Sequence, residues 1–599
     1  MACSLKKTDM YKPMRPSQIL ISEKLVTNVI KVLEEEYINP FGVGYDGLHN
    51  LSSGEEIKED LASSILNVYA NGEEMKNDFV NSRIISESVK LHTPEKRCTV
   101  TTFKTIMKPI TVKSKHMQAS VEINRNILGA LLAFSVKNER PISLSAALAY
   151  PLSSLPLSLA TGDGKRRETS KSKLTSILIE NAELKDPKTD DSIKEVGDFT
   201  FVIDLIAAIR TMTVLPNTYE ELVWNLISTL PKGYRRLDIV ADTYRNQSIK
   251  DAERSARGSS QKVIIGSSKS KIPRDFSNFM RNKDNKTRLV EIISEVMRNN
   301  YASVLAKLRC SVINISQEDV TYCLKRSGVS IHEELSSNQE EADTKVILHC
   351  YHSMQEYSSS KVVLRSPSGD TDILILAVSL LDINRVYLDY GKGKLRKGIW
   401  LNDLSIEEQM KEPLIGFHAF PGNDYVSSFF KRGKQLCWNG MKKNQVFIEA
   451  FRQLGQRWII NENDEIISSL EKYICHIYGY PRENSVNVVR MKMFEKKYDK
   501  DGKIIDVSLL PPCKSVLMLH IKRANYLAKL WRSSLKSWLN PEEIADNGWF
   551  HDGSINWVDE VSLTMLRKYY VTLPSKMTNL MRTTNYQRMT MNREVNEVR

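Results

Sequence analysis

The chain has 599 residues, 41% of them hydrophobic and 26% charged, which is typical of folded globular proteins and excludes a disordered or fibrous one. The formal net charge of +13 favours a polyanionic partner, and the eight cysteines form no Cys-x-x-Cys pair, which argues against a zinc ribbon or finger. The apolar runs are shorter than a bilayer span and the first residues lack the apolar stretch of a signal peptide. The sequence therefore predicts an intracellular protein with no membrane partner.

Residues 1–195 are predicted to form a mainly helical region, to which the sequence assigns no role. A loop rich in Pro, Ser and Gly at 150–164 leads into a basic cluster made of Lys165, Arg166, Arg167, Lys171 and Lys173, and a polar linker is predicted at 184–197. Such a cluster is typical of a phosphate-binding surface, of a nuclear address or of a solvated face. We expect a nuclear location on this basis.

After residue 195 the pattern changes to strands that end in an acid. The apolar run 199–203 ends at Asp204, and the run 237–241 ends at Asp242. A basic helical stretch follows, in which Lys250 and Arg257 are seven residues apart and therefore share a face two turns apart. A long helical pattern at 288–307 leads to a further predicted strand at 312–315.

Three acids then stand at the predicted start of a helix. Glu340, Glu341 and Asp343 lie in the segment EEADTK, where the helix dipole favours negative charge. Capping alone would explain them. A one-residue register decides whether Glu340 or Glu341 points toward other acids.

The segment 362–377, VVLRSPSGDTDILILA, reads as a strand, a turn and the start of a helix. Asp370 and Asp372 lie in its turn, and two carboxylates so close repel each other unless a cation such as Mg²⁺ lies between them. The alternative is a solvated turn. A strand at 385–389 follows, and Asp424 comes after a glycine in PGNDY.

The order of these acids along the chain indicates where they lie in the fold. Alternating strands and helices predict an α/β fold, and a parallel sheet brings the carboxyl ends of its strands to one edge. We therefore expect a cluster of carboxylates that is self-repelling without metal. His418, six residues before Asp424, is expected either to contact this site or to cap a strand.

The ordered set resembles the flap-endonuclease-like 5′-nucleases of the PIN-like superfamily. FVID and DIVADTY resemble the first two strands of that family, EEADTK its E-A-E-A signature, SGDTDIL its D-x-D and PGNDY its G-x-D-Y. The resemblance implies an α/β, PIN-like parallel-sheet nuclease core at 196–455 with a helical arch and a helix–turn–helix at 432–451. Mainly helical regions are expected on both sides, the second at 456–570, with a disordered tail at 571–599.

The same resemblance implies a metal-dependent, structure-selective nuclease that hydrolyses phosphodiesters with two Mg²⁺ or Mn²⁺ ions. The substrate would be DNA with junctions of single and double strands, and RNA stays open. Lys250 and Arg257 would contact the scissile phosphate. The ligands of the metal pair, including the acids that orient water around it, would be Asp204, Asp242, Glu341, Asp343, Asp370, Asp372 and Asp424. A duplex backbone would be gripped by Arg432, Gly433 and Lys434.

Two departures and one rival protein class remain open. Ala241 and Thr243 replace the Phe and Gly that the family has around its second acid, and Asp238 competes with Asp242 for that role. The flanks resemble a group of uncharacterised, transposon-related animal proteins. The alternative function is therefore a catalytically inactive nucleic-acid-binding or scaffold protein derived from a mobile element. A DxDxT phosphatase is disfavoured because Leu374 stands where its threonine would be.

Overall fold

The computed structural model describes residues 16–35, 48, 56–57, 59–93, 145, 148–150, 155–161, 164–193, 197–245, 248–250, 260–358, 360–501, 505–551 and 555–556. Arg257 and the tail predicted at 571–599 lie outside these residues. Within these ranges, no helix is both long enough and apolar enough to cross a bilayer.

A sheet of eight strands forms the centre of the molecule, in the order β5-β4-β3-β2-β1-β6-β7-β8. The five inner strands β3, β2, β1, β6 and β7 are parallel, and β4, β5 and β8 are antiparallel additions at the two edges. The strands are β1 Thr200–Asp204, β2 Arg236–Val240, β3 Val312–Gln317, β4 Val320–Lys325, β5 Gly328–Ile331, β6 Val362–Ser366, β7 Val386–Tyr390 and β8 Lys397–Trp400. A separate antiparallel pair joins Phe550–His551 to Ile555–Asn556.

Helices from residue 172 onward cover both faces of the sheet, and three α-helices precede them in the described part of the chain. In chain order they are α1 Pro16–Glu35, α2 Glu59–Leu66, α3 Val68–Val80, α4 Ser172–Leu178, α5 Leu205–Ile209, α6 Tyr219–Thr229, α7 Phe276–Phe279, α8 Lys283–Asn299, α9 Tyr301–Leu308, α10 Ala342–Glu356, α11 Thr371–Leu380, α12 Glu408–Lys411, α13 Pro413–Ala419, α14 Lys434–Met441, α15 Gln445–Gln453, α16 Glu465–Ile477, α17 Val486–Asp501 and α18 Lys514–Arg532. The mixed α/β class predicted from the sequence is confirmed.

The strand period of two divides the core into two layers. In β1, Phe201 and Ile203 face α6, α8 and α9, whereas Val202 faces the opposite layer with α10 and α11. Because parallel strands are covered on both faces, their sequences are nearly continuous apolar runs. Val362, Val363 and Leu364 of β6 are all buried in this way.

The second layer extends well beyond the sheet. Helices α13, α15, α16 and α18 continue the apolar core behind α10 and α11. Leu159, Leu174 and Leu178, which precede the sheet in the chain, belong to the same core. Segments on both sides of 196–455 therefore pack against the sheet-bearing part of the chain.

The strand order creates a topological switch point beside β1. The chain runs outward from β1 to β2 and β3, then returns to the other side of β1 for β6 and β7. The loops after β1 and β6 diverge here, which leaves a crevice at the carboxyl edge of the sheet where open α/β folds bind ligands.

One helix prediction is wrong in its extent. The pattern at 288–307 is divided between α8, which ends at Asn299, and α9, which begins at Tyr301. The side chain of Asn300 donates a hydrogen bond of 2.8 Å to the carbonyl oxygen of Val296, so it competes with the helix ladder at the break. The edge strands β4, β5 and β8 were not predicted.

Candidate active site

A cavity of about 890 Å³ opens at the carboxyl edge of the sheet, at the switch point. All seven acids predicted as metal ligands line it, and they come from five separate segments of the chain. They are Asp204, Asp242, Glu341, Asp343, Asp370, Asp372 and Asp424.

Asp204 is the last residue of β1 and the N-cap residue of α5. One of its carboxylate oxygens accepts hydrogen bonds from the backbone N–H groups of Ile206 at 2.7 Å and Ala207 at 3.1 Å. This N-cap fixes the carboxylate at the end of the strand. Burial, and then the charge of Asp242, raise the pKa of Asp204 to about 6.

Asp242 ties the loop after β2 to two other segments. Its Oδ1 accepts hydrogen bonds from the Lys250 ammonium at 2.6 Å and from the backbone N–H of Ala342 at 2.8 Å. The hydroxyl of Tyr244 lies 3.3 Å from Oδ2. Lys250 thus lies beside the acids, and its contact with a scissile phosphate stays a prediction.

Asp238 does not share this position. It is fully buried in β2, where Arg236 pairs with both of its oxygens at 2.8 and 2.6 Å and His349 Nδ1 lies 2.8 Å from Oδ2. Burial opposes its charge, but Arg236 outweighs burial and holds the pKa of Asp238 well below its usual range. Asp242, and not Asp238, is therefore the acid of β2 that faces the cavity.

The start of α10 resolves the register of the glutamates. Glu341 is the N-cap residue and lines the cavity with Asp343, whereas Glu340 accepts a hydrogen bond from Ser248 at 2.7 Å. The Tyr425 hydroxyl donates to Glu341 Oε1. Burial raises the pKa of Glu341 to about 7, and it raises the pKa of Asp343 together with the charge of Asp370.

Asp370 and Asp372 follow a tight turn after β6. Gly369 adopts a φ of +67°, in the left-handed region that favours glycine, and Ser366 Oγ accepts the N–H of Asp370 at 2.9 Å. Asp370 in turn caps α11 by accepting the N–H of Asp372 at 3.0 Å. Oxygen atoms of Asp343, Asp370 and Asp372 lie within 4.8 Å of one another, a spacing that suits one metal ion.

Asp424 is held by the PGNDY loop. Gly422 has a φ of +108°, and a Cβ there would lie 2.8 Å from the Cβ of Ser428. Asn423 Oδ1 accepts the N–H groups of Tyr425 at 2.8 Å and Val426 at 3.0 Å. The glycine and the asparagine together place Asp424 and Tyr425 at the cavity.

Lys171 is a site residue that the sequence did not reveal. Its ammonium, at the start of α4, lies 3.0 Å from Asp372 Oδ2, 3.0 Å from Asp424 Oδ2 and 3.7 Å from Asp370 Oδ1. Burial opposes this charge, but the three carboxylates outweigh burial and raise the pKa of Lys171. Its membership of a basic cluster was the sole signal.

His418 contacts the site and does not cap a strand. Its Nε2 lies 2.7 Å from Asp372 Oδ1, its Nδ1 lies 3.2 Å from the Lys434 amine, and its ring stacks on Trp531. Burial, and then the charge of Lys434, lower the pKa of His418 to about 4. The ring is thus neutral at pH 7, so Nε2–H donates to Asp372 while Nδ1 accepts from Lys434.

The predicted duplex-binding residues lie around the start of α14. Gly433 is exposed with open space around its Cα, and the guanidinium of Arg432 stacks on Tyr478 at 4.5 Å. Lys434 is only 1% exposed, and burial lowers its pKa to about 7. Its amine therefore has no direct access to a nucleic acid, while contacts by Arg432 and Gly433 stay predictions.

Exposed cations stand around the same cavity. Arg210, Arg281 and Lys392 line it with their side chains open to solvent, whereas the acids are partly or fully buried except at Asp424. The arrangement is acidic inside and basic at its mouth.

Comparisons with known proteins give no relative. No protein-family model matches the chain, and no curated protein shows significant similarity to it.

Proposed function

We propose that the protein is a metal-dependent nuclease that hydrolyses phosphodiester bonds, with DNA as the first candidate substrate. The observation that carries this proposal is the convergence of seven carboxylates from five segments on one cavity, beneath exposed basic side chains. The parallel sheet alone brings the strand ends to one edge, but it does not require an acid at each of them, and the mutual repulsion of buried carboxylates destabilises the fold unless a cation offsets it.

The donor set fits a hard divalent cation. Every candidate ligand is a carboxylate oxygen, which Mg²⁺ and Mn²⁺ prefer, and none is a thiolate or an imidazole. Asp343, Asp370 and Asp372 would hold the ion, with Glu341 and Asp204 beside them. When bound, such an ion supplies a Lewis acid that lowers the pKa of water and stabilises charge on phosphate oxygens.

The remaining side chains have separate tasks in this proposal. Neutral His418 orients Asp372, and Tyr425 orients Glu341 through the hydrogen bonds described above. Lys250 neutralises charge on the phosphate as it is attacked, and the exposed cations neutralise the phosphates that flank it. Hydrolysis joins a water oxygen to phosphorus and breaks one P–O ester bond, leaving a phosphomonoester and a free hydroxyl.

A PIN-like nuclease core is part of the proposal. Its support is the run of five parallel strands with acids at the ends of β1, β2 and β6, together with the order of the motifs along the chain. Two short helices, α14 and α15, flank a turn at 442–444, where the resemblance implies a helix–turn–helix. Substrates with junctions of single and double strands follow from that resemblance.

Cleavage of labelled substrates tests the proposal. Purified full-length chain is incubated with flap, nicked, single-stranded and hairpin DNA and RNA, with Mn²⁺, Mg²⁺ or EDTA. We expect Mn²⁺-dependent cleavage by the wild type and by the exposed-site control Asp403→Asn, but not by Asp343→Asn. Binding without cleavage by the wild type would instead favour the inactive nucleic-acid-binding protein.

A further inference from the structure

We infer that the site holds one divalent cation and that the Lys171 ammonium permanently occupies the place of a second. This inference rests on the proposed function and changes its chemistry, since the resemblance alone implies two metal ions. It follows from three features of the site.

The first feature is the position of the ammonium. It lies between Asp372 and Asp424, 3.0 Å from an oxygen of each, as a bridging cation would. Asp372 accepts a hydrogen bond on each oxygen, Oδ1 from His418 and Oδ2 from Lys171, and each oxygen keeps a lone pair for the ion beside Asp343 and Asp370. A second divalent ion placed between Asp372 and Asp424 would meet the ammonium as a like charge at close range.

The second feature is how Lys171 is held. Its helix α4 anchors Leu174 and Leu178 in the core, at 0% and 2% exposure. Thr175 Oγ1 lies 2.8 Å from Thr371 Oγ1, which joins α4 to the first turn of α11 beside Asp370 and Asp372. A lysine on a flexible loop would swing away at little cost, whereas this one starts a docked helix.

The third feature is the contrast with the other end of the acid cluster. In the part of the chain that the structure describes, no hydrogen bond or ion pair reaches the Asp343 carboxylate. Asp370 meets Lys171 through Oδ1 at 3.7 Å, farther than Asp372 and Asp424 do, so the Asp343 carboxylate and Asp370 Oδ2 present the charge that a metal ion would neutralise. The Lys171 ammonium thus neutralises Asp372 and Asp424, and one metal ion has a place beside Asp343 and Asp370.

Counting bound metal tests the inference without any assay of activity. Metal-depleted full-length protein is dialysed to equilibrium against Mn²⁺, and the bound ions per chain are measured. We expect one ion in the wild type, in Lys171→Arg and in the matched control Lys173→Met, whose side chain is exposed on the same helix. Lys171→Met removes the ammonium but keeps its length, and it should bind two ions.

The second ion of Lys171→Met should depend on the acids that the lysine now bridges. The double variant Lys171→Met/Asp424→Asn is expected to return to one ion per chain. The EPR spectrum of bound Mn²⁺ gives an independent measurement, with an isolated ion in the wild type and a spin-coupled pair in Lys171→Met. The wild-type spectrum remains decisive even if the Lys171 variant does not fold.

The outcomes separate this inference from the function on which it rests. Two ions in the wild type, or one ion in a folded Lys171→Met, overturns the inference and leaves a metal-dependent nuclease in place. No bound Mn²⁺ in the wild type overturns the proposed function, and the inference with it.

Discussion

Replacing Glu341 with glutamine is expected to stabilise the metal-free protein. Burial raises the pKa of Glu341 from 4.5 to about 7, with Lys250 and the Tyr425 hydroxyl acting in the opposite direction. One pKa unit corresponds to about 1.4 kcal/mol, so ionised Glu341 lowers the free energy of unfolding by about 3 kcal/mol at pH 8. Glutamine keeps an acceptor for Tyr425 and carries no charge.

The pH dependence of this gain has a definite sign. Below pH 4.5 the glutamate is protonated in both the folded and the unfolded chain, and the variant gains nothing. Between pH 4.5 and about 7 the folded state alone holds the proton, so the wild type loses stability as the pH rises. The advantage of Glu341→Gln grows through this window and is constant above it.

Urea unfolding in EDTA measures the effect. We expect a gain of about 3 kcal/mol at pH 8 and below about 1 kcal/mol at pH 5, whereas Glu462→Gln, at an exposed site, should change neither value. Saturating Mn²⁺ should reverse the order, because the wild type binds the ion more tightly. Equal gains at both pH values, or a less stable variant at pH 8, would refute the reasoning.

Three further changes test the site and its surroundings. Asp370→Asn/Asp372→Asn should abolish cleavage and the rise in melting temperature that Mn²⁺ gives the wild type, while binding flap DNA in EDTA at least as well; continued cleavage would contradict the metal assignment. Lys250→Ala should slow single-turnover cleavage by more than about threefold with little change in affinity, and a smaller effect would remove its role at the phosphate. Gly433→Val has room for its side chain, so it should leave the melting temperature unchanged and weaken binding to all duplex sequences alike in a fluorescence anisotropy titration; an effect on one sequence would argue against a backbone contact.

The acids of the site were predictable because local rules place them. Asp204 and Asp370 each follow an apolar strand and cap the next helix, so their positions follow from a short stretch of sequence. Parallel strands then bring such ends together without further information. These local rules did not decide between Asp238 and Asp242. The structure decides it, because Asp238 is buried within β2.

The cations of the site were not predictable because no local rule places them. Lys171 and Lys173 stand two residues apart in one basic cluster, yet one reaches the acids and the other is exposed. Lys434 reads as a surface residue of the segment RGK, but it is buried against His418. Packing between distant parts of the chain decides where Lys171 and Lys434 lie. The spacing of charges in the sequence does not predict that packing.

The docking of α4 joins Lys171 to acids that are distant in the sequence. Lys171 pairs with carboxylates that lie 201 and 253 residues later in the chain. Contacts over such separations close late in folding, because the entropy of the intervening loop must be overcome first. During synthesis Lys171 therefore gains these two partners only after residue 424 has been made. Divalent ions present while the acids assemble would lessen the repulsion among them and assist folding.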